Sequence, residues 1–363
     1  WRRTWHLSDF KFTAEQNDLV TGIDQNRSSR RLHGEGRRSM PNPMSLPIWF
    51  KWMWMFELHT YPISLLVFSL NLAVSMLSDR RVDLTKIWQS GVVLECVINI
   101  SEGRDVDRLT QLAEICANDL LDVHFDPEHN RSVFTLMGIT APRRLTKLAV
   151  QLLQLDMHQG VHPRLGVVDV VPFIPLDEST MREAILARDE FAHWASSELS
   201  IPCFLYGDER SLPDIRRQAW TNLQPQCGPD VPHSTAGAVC VGARDSLVAY
   251  NVWLNPTTTA ETARVIAQTV RGDGIRTLAL HVGNQWQISM NLIDPNRVGP
   301  DVATDRVIRE ARQHSVEISR CELVGLISQH ALNKISEQRW VELDLSTERT
   351  IEFRRNHGYT FAA

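Results

Sequence analysis

The chain has 363 residues, 43% hydrophobic and 22% charged, with a formal net charge of −5. That is the mix of a soluble globular protein with room for two or three domains, and it lacks the overall positive field that would favour nucleic acid. None of the six cysteines (Cys96, Cys116, Cys203, Cys227, Cys240 and Cys321) lies in a C-x-x-C pair, so neither a zinc ribbon nor a thioredoxin-like motif is signalled. Several occupy apolar positions, as small core residues do in a reducing compartment.

The chain begins at Trp1 rather than Met, as a fragment or a sequence with upstream translation would. Residues 1–45 are polar and irregular, with a basic cluster at Arg27, Arg30, Arg31, Arg37 and Arg38. The stretch Thr60–Ser78 carries no charge over roughly 19 residues, long enough to span a bilayer. It also holds Pro62, Asn71 and several serines. Three readings stand: a signal-anchor helix, an extension packed on the main body, or sequence absent from the mature protein. Residues 1–90 are therefore treated as an N-terminal extension, and a membrane is a partner only if 60–78 is an anchor.

From about residue 91 strands and helices alternate. Leu94, Cys96, Ile98 and Ile100 share one strand face at period two. A helix over Asp105–Asp119 buries Leu109, Leu112, Ala113 and Cys116, with Asp105 as its N-cap. Leu120–Phe125 and Ser132–Met137 read as strands joined by a polar turn. Thr140 is expected to cap a helix entered through Pro142 and running to about Met157. Val167–Ile174 reads as a strand, and Thr180 with Glu183 forms a capping box opening a helix to about Leu199. Ile201–Tyr206 and Ala236–Val241 read as further strands. The order then restarts: strand Leu247–Leu254, a helix capped by Thr258 and Glu261, strands Thr277–Val282 and Gln287–Leu292 around a turn at Gly283 and Asn284, helix Asp301–His314 and strand Cys321–Leu326. Both halves read strand, helix, strand, strand, helix, strand. The expected class is α/β (α+β): two ferredoxin-like halves, each a mixed sheet with helices on one face, with a ligand cleft between them.

Four histidines crowd one window, His124, His129, His158 and His162, together with Asp122, Asp126, Asp156 and Asp169. Histidine titrates near neutrality, so such a cluster beside strand ends suggests acid–base or metal chemistry. A glycine and a proline break the helix just before a buried strand and leave His162 in a loop at the sheet edge. His158 and His162 are four apart, but Gly160 between them argues against one regular helix offering both to a metal. Gly228–Gly237 (GPDVPHSTAG) is turn-rich and polar and reads either as a ligand-binding loop or as a plain linker. There is no Walker A lysine, no G-x-G-x-x-G and no G-x-S-x-G.

Six segments, in order, resemble the formiminotransferase domain of the formiminotransferase-cyclodeaminase family and its stand-alone bacterial relatives. They are LECVINISEGR at Leu94–Arg104, DVHFDPEHNRSVFTLMG at Asp122–Gly138, GVHPRLGVVDVVPFIP at Gly160–Pro175, FLYG at Phe204–Gly207, Gly228–Arg244 and LVGL at Leu323–Leu326. The resemblance spans about residues 91–357, with no helical cyclodeaminase domain after it, and implies two subdomains, 91–244 and 245–357, with a folate-binding tunnel between them. It implies transfer of the formimino group from N-formimino-L-glutamate to N5 of tetrahydrofolate, a step in histidine breakdown and one-carbon metabolism, in a cytoplasmic homodimer. Tetrahydrofolate is the co-substrate, and no metal or nucleic acid is implied.

The same resemblance carries the family's catalytic histidine onto His162. It carries the folate loop onto Gly228, Pro229, Asp230, Val231, Pro232, His233, Ser234, Thr235, Ala236 and Gly237, and pocket residues onto Asn99, Ser101, Glu102, Asn130 and Arg131. Arg131 and Arg164 are candidates for pairing with substrate carboxylates, since guanidinium binds them bidentately. One position departs: the mammalian-type pattern has an aspartate where this chain has His124, which supplies no fixed negative charge, with Asp122 or Asp126 as possible substitutes. Formyl transfer from formylglutamate, a non-catalytic folate-binding protein and a metal-dependent hydrolase remain as alternatives.

Overall fold

The computed structural model describes residues 91–362; the readings made for 1–90, including Thr60–Ser78, lie outside the described residues. No helix among the described residues is long and apolar enough to cross a membrane.

The first half opens with β1 (Leu94–Ile100) and α1 (Val106–Glu114). Asp105 caps α1 by accepting the Arg108 N–H at 3.1 Å. Then come β2 (Leu120–Asp126), β3 (Arg131–Met137), α2 (Thr140–Leu152) and β4 (Val168–Pro175). α3 (Met181–Leu199) follows, opened by the Thr180–Glu183 capping box, then β5 (Cys203–Tyr206), α4 (Leu212–Gln218) and β6 (Val239–Ala243). The six strands lie in the order β2-β3-β1-β4-β6-β5. β2, β3, β1 and β4 pair antiparallel, whereas β6 pairs parallel with both β4 and β5. Parallel neighbours need a crossover: the segment with α4 joins β5 to its neighbour β6, and α3 carries the chain from β4 past the position of β6 to β5.

The second half comprises β7 (Val248–Leu254), α5 (Ala260–Val270), β8 (Ile275–Val282), β9 (Gln285–Leu292), α6 (Pro300–Gln313) and β10 (Ile318–Val324). Its sheet, β10-β7-β9-β8, is antiparallel throughout. Tyr250, Val252, Leu254, Ile288, Met290 and Leu292 alternate along the strands and pack with Ala263, Ile266 and Val307 of the two helices. Because successive strand side chains point to opposite faces, Asn251, Trp253, Gln287 and Glu322 fall on the other face. Two short helices close the described chain, α7 (Gln329–Leu332) and α8 (Ile351–His357). Ile351 of α8 packs on Leu121 of β2, and Arg355 meets Asp177 at 2.8 Å.

The mixed α/β class and the repeated element order are as the sequence implies. Several local readings need correction. Thr140 is the first residue of α2, not its cap; Ile139 precedes it with no side-chain cap bond. α2 stops at Leu152, and Leu155–Met157 forms a short 3-10 turn, because the Leu155 N–H is drawn to the Thr235 carbonyl at 2.8 Å. Thr259, not Thr258, caps α5; the Thr258 hydroxyl is taken by Asn255 at 2.7 Å. β6 begins at Val239 rather than Ala236, since the backbone of 236–238 pairs with residues 165–167 outside the sheet.

Candidate active site

His162 lies in the loop between α2 and β4, and its neighbours hold that loop tightly. Gly160 is pressed against the His129 carbonyl so closely that a Cβ would overlap it. Arg164 turns back and donates Nη1 to the carbonyls of His162 at 2.7 Å and Gly160 at 3.1 Å. Downstream, Ser101 donates its hydroxyl to the Gly166 carbonyl at 2.9 Å. The His162 ring bonds Nδ1 to the Pro163 carbonyl at 2.9 Å. A carbonyl only accepts, so Nδ1 carries the hydrogen and Nε2 keeps its lone pair.

Below the ring sits a buried ionic triad. Asp169 of β4 is fully buried. Its Oδ2 meets Arg131 of β3 at 2.8 Å and Arg216 of α4 at 2.6 Å, while Oδ1 accepts the Leu165 N–H at 2.8 Å. Burial opposes its charge, but the two guanidiniums hold this carboxyl well below the usual carboxylate range. Two cations against one anion leave the site net positive. Burial, followed by repulsion from Arg131 and Arg216, pushes the His162 imidazole well below its ordinary value. The ring is thus a neutral base with one free lone pair, set beside excess positive charge suited to an anionic substrate.

The other expected residues divide into a partner of the ionic triad and loop ties. Asn99 accepts from Arg131 Nε at 3.1 Å. Glu102 is a loop tie: its Oε1 accepts the N–H groups of Gly103, Arg104 and Asp105 at 2.9–3.0 Å. Asn130 sits at φ 47, accepts from Gly103 N–H at 3.0 Å and donates to the Gln159 carbonyl at 2.9 Å. His158 is bonded to the Asn130 carbonyl at 2.6 Å, so it braces the loop and does not share a centre with His162. In Gly228–Gly237, residues Gly228 to Pro232 and Ser234 are largely exposed, while Ala236 and Gly237 are buried. His233 closes this loop by accepting the Ala236 N–H at Nδ1, 3.0 Å away. The Ala236 carbonyl then accepts from Val167 N–H at 3.0 Å, and the Leu165 carbonyl from Ala238 N–H at 2.9 Å. The loop is therefore joined by backbone bonds to the segment that carries His162.

His124 faces the second sheet. Its Nε2 lies 3.5 Å from Oε1 of Glu322 on β10. The carboxylates nearer in sequence are used elsewhere: Asp122 faces Arg354 at 3.7 Å, and Asp126 accepts the N–H groups of Glu128 and His129. His129 lies with its ring centre 6.3 Å from that of His162 and bonds Gln287 of β9 at 3.1 Å. Sequence reasoning missed Arg216, Gln287 and Glu322. For Arg216 the only signal is the capping box formed by Ser211 and Asp214, which marks the helix that carries it. For Gln287 and Glu322 the signal is polarity on alternate positions of otherwise apolar strands.

The fold is that of a formimidoyl-transfer domain. Residues 93–244 match the family described as "Formiminotransferase domain, N-terminal subdomain". The chain is 34% identical over 281 residues to a glutamate formimidoyltransferase of Thermoplasma acidophilum, covering 68% of this chain and 91% of that protein. It is 32% identical over 276 residues to a glutamate formimidoyltransferase of Streptococcus pyogenes serotype M1, covering 68% and 92%. A formimidoyltransferase-cyclodeaminase of Sus scrofa is 30% identical over 277 residues, with 66% of this chain and 51% of that protein covered. This chain belongs to the glutamate formimidoyltransferase family.

Proposed function

We propose that the protein transfers the formimino group of N-formimino-L-glutamate to N5 of tetrahydrofolate, with His162 carrying the proton. The observation that supports this most is the state of the His162 ring: neutral, hydrogen-bonded at Nδ1 and free at Nε2. The reduced folate supplies the amine nucleophile. As the new C–N bond forms, Nε2 accepts the N5 proton; as the old C–N bond breaks, Nε2 returns it to the leaving glutamate nitrogen. The imidazole ends as it began, so one ring serves as base and then acid. Arg131 and Arg216 attract the donor's carboxylates, and the Asp169 carboxylate keeps the two guanidiniums from repelling each other. Gly228–Gly237 is assigned to the folate, a role supported by its backbone connection to the His162 segment. The same reading places the enzyme in the cytoplasm, as a homodimer, in histidine degradation.

The test is His162→Ala, assayed for 5-formiminotetrahydrofolate formation. Loss of proton transfer at this site is expected to lower kcat by about 10²–10⁴-fold, with an unchanged circular dichroism spectrum. Turnover within about twofold of wild type would remove His162 from the role.

A further inference from the structure

Three polar groups form a chain that ends on the neighbour of His162 and have no part in the transfer as described: His129, in the β2–β3 turn, Gln287 on β9 and Glu322 on β10. Gln287 is fully buried and His129 is 9% exposed. Groups so placed depend on hydrogen bonds for their stability, and here the bonds run in one direction. An ionised carboxylate only accepts. Oε2 of Glu322 accepts from Trp253 Nε1 at 2.8 Å, Asn251 Nδ2 at 3.1 Å and Gln287 Nε2 at 3.4 Å. Burial opposes the charge, but the bonds from His124, Trp253 and Asn251 hold this carboxyl down at about 2. Gln287 must therefore turn its N–H toward Glu322, and its Oε1 faces His129 Nε2 at 3.1 Å. That oxygen only accepts, so Nε2 of His129 carries the hydrogen and Nδ1 is left as a lone pair. Nδ1 is buried and has no hydrogen-bond partner. A buried acceptor left open is destabilising, so a site that retains one calls for a reason.

We propose that Glu322 and Gln287 are positioning residues for the transfer: from the second sheet they lock His129 in its Nε2–H tautomer, which fixes the open Nδ1 lone pair on a ring centred 6.3 Å from that of His162. Glu322 also supplies, across the two sheets, the negative charge facing His124. This inference rests on the reading of His162 as the transfer centre, but its relay can be read in the free protein.

The test uses the full chain and three variants. Nitrogen-15 spectra of labelled histidines report the His129 tautomer without substrate, and kcat and KM are measured with formiminoglutamate and tetrahydrofolate. Glu322→Gln removes the acceptor-only end. It is expected to mix the His129 tautomers and lower kcat about tenfold, with KM changed by less than about twofold. Gln287→Glu sets two carboxylates against each other and is expected to cost about thirtyfold in kcat. Combining them moves the charge one residue along the relay. The double variant is expected to recover the single tautomer and a kcat within about threefold of wild type. A merely structural role gives no such recovery. Should Glu322→Gln fail to fold, Gln287→Met fills the same space without an acceptor and reports the same tautomer loss. A His129 spectrum unchanged in Glu322→Gln or in Gln287→Met, or losses in the two charge variants that simply multiply, overturns the relay. A wild-type chain inactive with formiminoglutamate would overturn the proposed function instead, while the spectra still decide the relay.

Discussion

The two halves of the described chain share one element order and use it differently. In the first, the connection from Leu152 to Val168 is long and carries His162, and α4 with the Gly228–Gly237 loop follows β5. In the second, the equivalent connection from Gln313 to Ile318 is short, and the contribution to the site comes from the strands themselves, through Gln287 and Glu322. One half lends its loops, where backbone and side chains can be bent around a reacting group. The other lends a flat polar face whose side chains are aligned by the pleat. On the proposed mechanism, the same topology provides the chemistry in one copy and the alignment in the other.

That contrast can be broken in order of expected effect. The ionic triad of the first half is buried, whereas the Arg339 pairs of the second half lie at the surface. Asp169→Ala leaves two guanidiniums facing each other without a counter-charge and is expected to cost about 3–5 kcal/mol in urea unfolding. Asp305, a partner of Arg339, has a side chain 52% exposed, and Asp305→Ala is expected to cost under about 1 kcal/mol. Equal costs would show that burial does not separate the halves. A second comparison uses glycines at positive φ. Gly237, at φ 74, has the Leu165 carbonyl where a Cβ would go, so Gly237→Ala is expected to cost about 3 kcal/mol and to loosen the loop. Gly283, at φ 58, has its nearest atom 4.0 Å from such a Cβ, and Gly283→Ala is expected to cost only about 1 kcal/mol of backbone strain.

The pH dependence sharpens the electrostatic side of the comparison. Because the His162 imidazole is held well below its ordinary value, the basic form persists as pH falls, and the acid limb of kcat/KM is expected below the usual histidine range. Arg216→Gln removes one repelling cation and is expected to move that limb to higher pH. A limb that stays put would show that Arg216 does not contribute to the ring's lowered basicity. The stability sign follows: the unfolded chain takes up this proton first, so the contribution is present above the unfolded value and lost as pH drops through the ordinary histidine range.

Much of this was legible in the sequence because it is local. Asp105 and the Thr180–Glu183 box announced their helices through the side chains that cap them. The alternation in Leu94–Ile100 announced a half-buried strand, and the glycine and proline around His162 announced a loop before β4. Where two candidates were adjacent, as at Thr258 and Thr259, the pattern was right and the register was off by one, since either threonine can cap and only the bond from Thr258 to Asn255 decides. The end of α2 was misplaced for the same kind of reason, a backbone bond to Thr235 that no local pattern records.

By itself the sequence determined the periods, the caps and the loop that carries the His162 imidazole, because each depends on residues a few positions apart whose side chains and dihedrals act on one another directly. Only the tertiary structure decided which charges surround that imidazole and which acid faces His124. Arg216 reaches Asp169 across 47 positions, and Gln287 reaches His129 across 158. Contacts over such separations exist only once distant segments have folded together, within the first half for Arg216 and between the two sheets for Gln287, and the residues that make them look, in the chain, like any other polar position on a helix or strand.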